Sequence, residues 1–121
     1  MPELRIVDSI TQLGPQDEGC VAVSGSHGGL SSARYALAVR PLLSIFNDAG
    51  IGKDEAGLAA VRFLEERLLA ACTVSHDSAR IGEAQSTLDN GIVNHLNLQA
   101  RALGLAPSQS CRHLVEHLQS R

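Results

Sequence analysis

Three short segments of the chain concentrate side chains that could transfer protons or bind an anion. They are residues 24–29 (S-G-S-H-G-G), 47–54 (N-D-A-G-I-G-K-D) and 73–80 (T-V-S-H-D-S-A-R). Histidine can donate or accept a proton near neutral pH, because its ordinary pKa is about 6.5. We therefore predict that His27 and His76 move protons.

Asp48 and Ser75 complete the predicted catalytic set. A carboxylate such as Asp48 can orient an imidazole, and a serine hydroxyl can act as a nucleophile. A Ser–His–Asp set can be assembled from Ser26 or Ser75, either histidine, and Asp48. Because several combinations exist, the residue types alone select none of them. A turn-forming role for Asp48 and a helix-capping role for His27 are the alternatives.

Other residues of the three segments could hold a negatively charged ligand. A histidine-glycine-glycine turn is found in hydrolase oxyanion loops, where N–H groups stabilise a developing negative charge. Lys53 and the planar guanidinium of Arg80 could add positive charge, although either could also be simply solvated. The predicted ligand-binding residues are Ser24, Ser26, Gly28, Gly29, Asn47, Lys53 and Arg80.

Two familiar motifs fail on inspection. The Gly-Lys pair at 52–53 suggests a P-loop, but Asn47 stands in place of the first glycine and Asp54 in place of the magnesium-binding hydroxyl. Residues 113–117 read H-L-V-E-H, yet a catalytic zinc needs a third ligand and only four residues follow. No metal is assigned and no cofactor can be named. A metal on some of His27, His76, Asp48 and His95 stays an open alternative.

Apolar runs predict the strands that must position these segments. Strands are predicted at 20–24, 42–46, 71–75 and 92–96, with 4–10 as an additional edge strand. The run at 92–96 would also suit a continuous helix. The first three predicted strands are each followed by polar residues, and the fourth contributes Asn94, His95 or Asn97. Since parallel strands end at one edge of a sheet, we expect these residues to share a crevice.

Helical spacing of apolar residues fills the intervals between the strands. Helices are predicted at 30–40, at 54–69, from a cap at Asp77 or Ser78 to Asn90, at 97–103, and from about residue 107 onward. Alternating strands and helices predict an α/β fold. The expected architecture is a small three-layer open sheet, mostly parallel, with three to five strands and helices on both faces. The whole chain, 1–121, is predicted to be one domain.

Composition restricts the classes of partner. A formal net charge of -3 and an aromatic content of 2% argue against nucleic-acid binding. The N-terminus lacks the pattern of a secretory signal, and no apolar stretch approaches the length of a membrane span. Cys20, Cys72 and Cys111 are widely spaced, which is typical of buried thiols in the cytoplasm. A core built from small aliphatic side chains favours a homo-oligomer.

Taken together, three segments resemble a family of small bacterial α/β proteins with which no activity is associated. The segments are residues 24–29 (SGSHGG), 46–54 (FNDAGIGKD) and 74–82 (VSHDSARIG). The similarity extends over about residues 19–104. It implies that the three segments act as one unit.

We expect the protein to bind a small anionic or carbonyl-bearing metabolite at the carboxyl edge of the sheet. Acid–base or hydrolytic chemistry would follow, as in a hydrolase or a lyase. The alternatives are a non-catalytic module that binds phosphate or a nucleotide, and a structural subunit of an oligomer.

Overall fold

The computed structural model describes residues 1–120 and is built on one five-stranded sheet. The strands lie in chain order across the sheet. The first four are parallel, and the fifth is antiparallel to the fourth. Their bounds are β1 (Leu4–Val7), β2 (Val21–His27), β3 (Leu43–Asn47), β4 (Ala70–Val74) and β5 (Val93–Leu96). The prediction of a mostly parallel α/β sheet is confirmed, and residues 92–96 contribute a strand.

Within the described residues, five α-helices cover the two faces of the sheet. They are α1 (Leu30–Val39), α2 (Ala59–Glu66), α3 (Ala84–Asn90), α4 (Leu98–Ala102) and α5 (Cys111–Gln119). Helices α1 and α2 pack on one face, and α3 and α5 pack on the other. Short 3-10 helices lie at Ile10–Gln12, Pro15–Asp17 and Lys53–Leu58. No helix among residues 1–120 is long and apolar enough to cross a membrane.

Alternation of side chains along the central strands builds two cores. In β3, Leu43 and Ile45 join the core under α3 and α5, whereas Phe46 joins the core under α1 and α2. The face under α1 and α2 also presents Ala22 and Ala71, both without exposed surface. Small side chains there let the two helices approach the sheet closely, so small aliphatic residues can fill this core.

Two glycines let the loops at the carboxyl edge pass one another. A Cβ atom at Gly28 would overlap the carbonyl oxygen of Gly57, and one at Gly57 would overlap the carbonyl oxygen of Asp48. The backbone of the segment before α2 therefore packs directly against the backbone of two neighbours, the turn after β2 and the end of β3. This contact fixes where Asp48 leaves the sheet.

Several predicted element boundaries are wrong. The predicted helix at 54–69 begins as a 3-10 segment, with Asp54 and Glu55 at φ values of 56° and 57°, and only Ala59–Glu66 is α-helical. The third helix begins at Ala84 and not at Asp77 or Ser78, because residues 75–83 form a loop. The final helix begins at Cys111, where the Ser110 side chain accepts a hydrogen bond from the His113 N–H.

Candidate functional site

Asp48, directly after β3, is the centre of the most highly connected polar cluster at the carboxyl edge. Its side chain is buried, with 3% of the residue exposed. Oδ1 accepts hydrogen bonds from the N–H of Gly50 at 2.8 Å and from the N–H of His76 at 2.9 Å. Oδ2 accepts one from Nδ2 of Asn94 at 2.7 Å. The carboxylate therefore joins the loops after β3 and β4 to the edge strand β5.

These donors keep Asp48 ionised. Burial acts to raise the pKa of the Asp48 carboxyl, but hydrogen bonds from Gly50, Asn94 and His76, with the charge of the His76 ring, outweigh it. The net effect is a pKa below the ordinary value of 3.8. A buried carboxylate that receives several N–H groups is stabilised in its charged form. Asp48 is therefore an anion at neutral pH.

His76 lies against this carboxylate and faces solvent on its other side. Its Nδ1 atom is 3.3 Å from Asp48 Oδ1, and its side chain is 52% exposed. Because an ionised carboxylate only accepts hydrogen bonds, Nδ1 must carry the proton in this contact. Nε2 of the neutral ring is then the nitrogen with a free lone pair. The arrangement presents a proton acceptor at the surface of the sheet edge.

A second carboxylate flanks the outer nitrogen of the same ring. Nε2 of His76 lies 3.2 Å from Oδ1 of Asp77, whose side chain is 85% exposed. This contact is favourable only when Nε2 also carries a proton, because a lone pair and a carboxylate oxygen repel each other. In the neutral ring the exposed Asp77 side chain must turn toward solvent, and the Nε2 lone pair is then available to a ligand.

Behind Asp48, two further side chains form a hydrogen-bonded pair that fixes the orientation of the Asn94 amide. The Thr73 hydroxyl donates to Oδ1 of Asn94 at 2.7 Å. This bond leaves the Asn94 amide nitrogen directed at Asp48. A continuous set of hydrogen bonds thus runs from Thr73 through Asn94 and Asp48 to His76.

His76 borders an open cleft of about 640 Å³, formed mainly by the loop after β4 and by helix α3. Arg80 and Asp77 supply charge to its walls, while Ile81 and Ala79 supply apolar surface. The residues that line it are Asn47, Ala49, His76, Asp77, Ser78, Ala79, Arg80, Ile81, Ser86 and Asn90. This volume is in the range of small-molecule sites. A cation, an imidazole and apolar surface meet in one depression.

The predicted residues of the third segment are only partly in this cleft. Arg80 is exposed and its backbone N–H donates to the Ser86 hydroxyl. Ser75 is partly buried and is not among the lining residues. Its N–H donates to the carbonyl of Ile92, and its carbonyl accepts the hydroxyl of Ser78. The backbone of Ser75 therefore holds the loop, and no hydrogen bond between its hydroxyl and His76 is found in the described part of the chain.

His27 lies at the same edge of the sheet but outside the cleft. It pairs in register with Asn47, so His27 and His76 stand on opposite sides of β3. Its Nδ1 accepts the N–H of Gly29 at 3.0 Å, two residues along the chain. The ring is exposed and is not among the described lining residues of the cleft. The structure thus does not join the two histidines in one depression.

In the turn after β2, the amides of both glycines donate hydrogen bonds within the protein, so neither is free in this geometry for the oxyanion role predicted for them. The N–H of Gly28 donates to the carbonyl of Asn47 at 2.8 Å, and that of Gly29 donates to His27. The two serines are also occupied. Ser24, fully buried, donates to the carbonyl of Ile45, and Ser26 accepts the N–H of Ile10.

Asn47 lies in the cleft, whereas Lys53 lies outside it. Asn47 is fully buried and its amide ties the backbone together, donating to Ala79 and accepting from Ala49. It lines the floor of the cleft while holding the loop in place. Lys53 is exposed and is not among the lining residues of the cleft. Asn47 therefore positions the site, and Lys53 lies apart from it.

The antiparallel direction of β5 corrects the prediction for the fourth strand. Its first half, not its end, lies at the carboxyl edge, which is why Asn94 reaches Asp48. Asn97 lies at the other end of the strand, where its side chain bonds the backbone of Val61, Leu69 and Ala71. His95 lines a separate cleft beside α2. Of the three residues named for this strand, only Asn94 joins the Asp48 cluster.

The described residues contain no group of three or more His, Cys, Asp and Glu side chains that could hold a metal ion. The alternative of a metal on His27, His76, Asp48 and His95 therefore has no geometric support, since His95 lies in the separate cleft and His27 beyond β3. Cys20, Cys72 and Cys111 are buried and free.

Several residues of the site were not predicted from the sequence. Thr73, Ile81, Ser86 and Asn90 have no motif, and each reaches the site through an element whose course depends on distant contacts. Only Thr73 carried a usable signal, because it is a polar residue inside an otherwise apolar strand. Comparisons with protein-family models, with curated proteins and with solved structures found no match for this chain. The resemblance of the three segments to a bacterial family stays a prediction.

Proposed function

We propose that this protein binds a small metabolite that carries a carboxylate or phosphate group, and that His76 transfers a proton to or from it. The observation that carries the proposal is the Asp48–His76 pair at the mouth of a cleft that also contains Arg80. A carboxylate–imidazole pair beside a guanidinium supplies both a proton acceptor and an anchor for a negatively charged group.

His76 is the proposed catalytic residue and Asp48 the positioning residue. Asp48 holds both the ring and the backbone N–H of His76 through one oxygen, so the ring cannot swing away without losing its contact to a fixed carboxylate. Nε2 then removes a proton from the bound ligand, or from a water molecule beside it, and returns it in a later step. Arg80 binds the anionic group through its planar fork.

The serines near the site favour general acid–base chemistry over an acyl-enzyme. Ser78 donates to the carbonyl of Ser75 and accepts the N–H of Ile92, so its hydroxyl is committed. Ser86 accepts the N–H of Arg80, and among the described residues no hydrogen bond joins its hydroxyl to His76. A lyase, or a hydrolase that activates water, is therefore the proposed reaction class.

A thermal-shift screen of small carboxylates, phosphates and amides is the first test, because a ligand specific for the folded state raises its stability. Turnover of each hit is then followed in the wild type, in His76→Gln and in the control His113→Gln, which changes an exposed histidine on α5. We expect His76→Gln to lower turnover about 100-fold or more. Turnover that survives this change would overturn the catalytic assignment, and binding without any turnover would indicate a non-catalytic module.

Two broader proposals accompany this function. A cytoplasmic location is supported by the three free, buried cysteines. A homo-oligomer is supported by exposed apolar side chains on helix α1, where Tyr35 is 52% and Leu30 43% exposed. Sedimentation of the purified protein would test the second, and a purely monomeric species at high concentration would contradict it.

A further inference from the structure

A second cleft, of about 260 Å³, lies between helix α2, strand β5 and helix α4. It is separate from the cleft beside His76, and the two share no lining residue. Three basic side chains line it: Arg62 from α2, His95 from β5 and Arg101 from α4. Three different elements thus contribute basic groups to one small space in a chain whose formal net charge is -3.

Basic residues outnumber acidic residues in the lining of this cleft, three to one. The acidic residue is Glu65, whose Oε1 atom accepts the N–H of Leu98 at 2.8 Å. Arg62 donates to Glu55 from Nη2, in a pair whose side chains are 58% and 57% exposed. Such an exposed pair contributes little and can open. Within residues 1–120, Arg101 takes part in no ion pair.

The walls of the second cleft are held rigidly. The buried side chain of Asn97 bonds the carbonyls of Val61 and Leu69 and the N–H groups of Ala71 and Ala100. These four bonds join α2, β4 and α4 at the floor of the cleft. The basic residues are therefore presented on a fixed frame, which reduces the entropy lost when a ligand binds.

We infer that the second cleft is an oxyanion site, which takes a phosphate or carboxylate group between Arg62, Arg101 and His95. Two guanidinium groups offer paired N–H donors that match the oxygens of either anion. The imidazole of His95 supplies a further N–H. Val61 and Leu58 line the same space, so a short apolar portion of the ligand can lie against them. The inference does not depend on the proposed chemistry of His76.

Titration with inorganic phosphate, and separately with succinate at the same ionic strength, tests the site in the intact protein. Imidazole resonances observed by NMR distinguish the two clefts, because His95 lies in one and His76 in the other. We expect a saturable shift of the His95 resonances with at least one of the anions. The anion that shifts them at lower concentration identifies the preferred group. No shift of His95 with either anion, or saturable shifts of His76 alone, would overturn the inference.

Calorimetry of variants gives a second, independent readout. Arg101→Gln and Arg62→Gln should each weaken binding about tenfold or more, because each removes a charge-assisted pair of donors. Arg34→Gln, on the exposed face of α1, should leave the affinity within about twofold. Equal affinity in all three variants would refute the site. The NMR titration of the wild type decides the question if a variant fails to fold.

Discussion

Replacing Asp48 with asparagine should destabilise the protein strongly, although the change is nearly isosteric. The carboxylate accepts hydrogen bonds from Gly50, Asn94 and the backbone of His76, and contacts the ring of His76. A charge-assisted hydrogen bond contributes roughly 1 kcal/mol more than a neutral one. Asp48→Asn removes the charge at four contacts, but it also removes the unfavourable free energy of burying an anion. The net decrease in the free energy of unfolding is therefore about 2–4 kcal/mol. That is a large share of the roughly 5–15 kcal/mol that stabilises a domain.

The amide introduced by Asp48→Asn also faces a donor. If its oxygen takes the place of Oδ1, its NH₂ group meets the Nδ2 donor of Asn94. A rotation of the Asn94 amide that exchanges its oxygen and nitrogen would remove this clash. The Thr73 hydroxyl, which donates to Asn94 in the wild type, would then have to accept a hydrogen bond instead. A double variant, Asp48→Asn with Asn94→Asp, restores one acceptor at this contact and should recover part of the loss.

Urea denaturation followed by circular dichroism measures these changes. Asp77→Asn is the matched control, because Asp77 is 85% exposed and contacts the same ring. We expect that control to change the free energy of unfolding by less than about 0.5 kcal/mol. A value for Asp48→Asn as small as that of the control would refute the view that the buried carboxylate anchors the two loops.

The pH dependence provides the second half of this test. The pKa of Asp48 is lower in the folded state than its ordinary 3.8, so its contribution is fully present above the unfolded value. The contribution is lost as pH falls through the lower, folded-state pKa. The difference in unfolding free energy between wild type and Asp48→Asn should therefore be constant near about pH 7 and narrow below about pH 4. A difference that stays constant into acid would contradict an ionised Asp48.

Three further changes test other parts of the structure. Gly28→Ala should lower the free energy of unfolding by about 3 kcal/mol or more, because the new Cβ would overlap the Gly57 carbonyl. Gly19→Ala, at φ 81° with open space around it, should lower it by only about 1 kcal/mol. Urea denaturation measures both losses. Asn97→Ala should lower the free energy of unfolding by about 3–5 kcal/mol, because four buried backbone groups lose their hydrogen-bond partner. The control Asn90→Ala, at an exposed residue, should lower it by less than about 0.5 kcal/mol. Equal losses would contradict the role of Asn97 in holding the backbone. Burial raises the pKa of the Cys20 thiol to about 11, that of Cys111 to about 12, and that of Cys72 well above its ordinary value. The three thiols should therefore react with Ellman's reagent only after unfolding. Rapid reaction of the native protein would contradict the structure.

The sheet was predictable because its central strands are nearly continuous apolar runs. Strands β2, β3 and β4 are covered on both faces, so most of their residues are apolar, and polar ones such as Ser24, Ser44 and Thr73 are buried. Parallel order then places the ends of β3 and β4 side by side, which is why Asp48 and His76 could be expected to meet. The contact between them follows from the strand order, which can be predicted from the sequence pattern.

The loop before α3 was not predictable because its partners are far away in the chain. Asp77 and Ser78 have the composition of a helix cap, yet the N–H of Ala84 donates to the carboxylate of Asp8, 76 residues earlier. The N–H of Gly82 donates to the carbonyl of Gly25, which holds the loop against β2. Local propensity was overridden by contacts that no sequence window contains.

His27, in contrast, has a partner very close in the chain, as its alternative helix-capping role would require. Nδ1 of the ring accepts the N–H of Gly29, two residues on, which leaves only Nε2 for a ligand. His27, at the end of β2, therefore stabilises a local turn. His76, just after β4, instead borders a cleft.

The reversal of β5 follows from the length and position of α3. That helix begins beside Asp8 at the end of β1, and its last residue, Asn90, lines the cleft at the carboxyl edge. Its 7 residues span only about 10 Å, too little to return the chain across a strand of about 16 Å. With two residues between α3 and β5, the strand must enter the sheet at the edge where β4 ends, and so must run antiparallel to it. This one constraint brings Asn94 to Asp48 and places His95 at the second cleft, so both candidate sites depend on the shortness of α3.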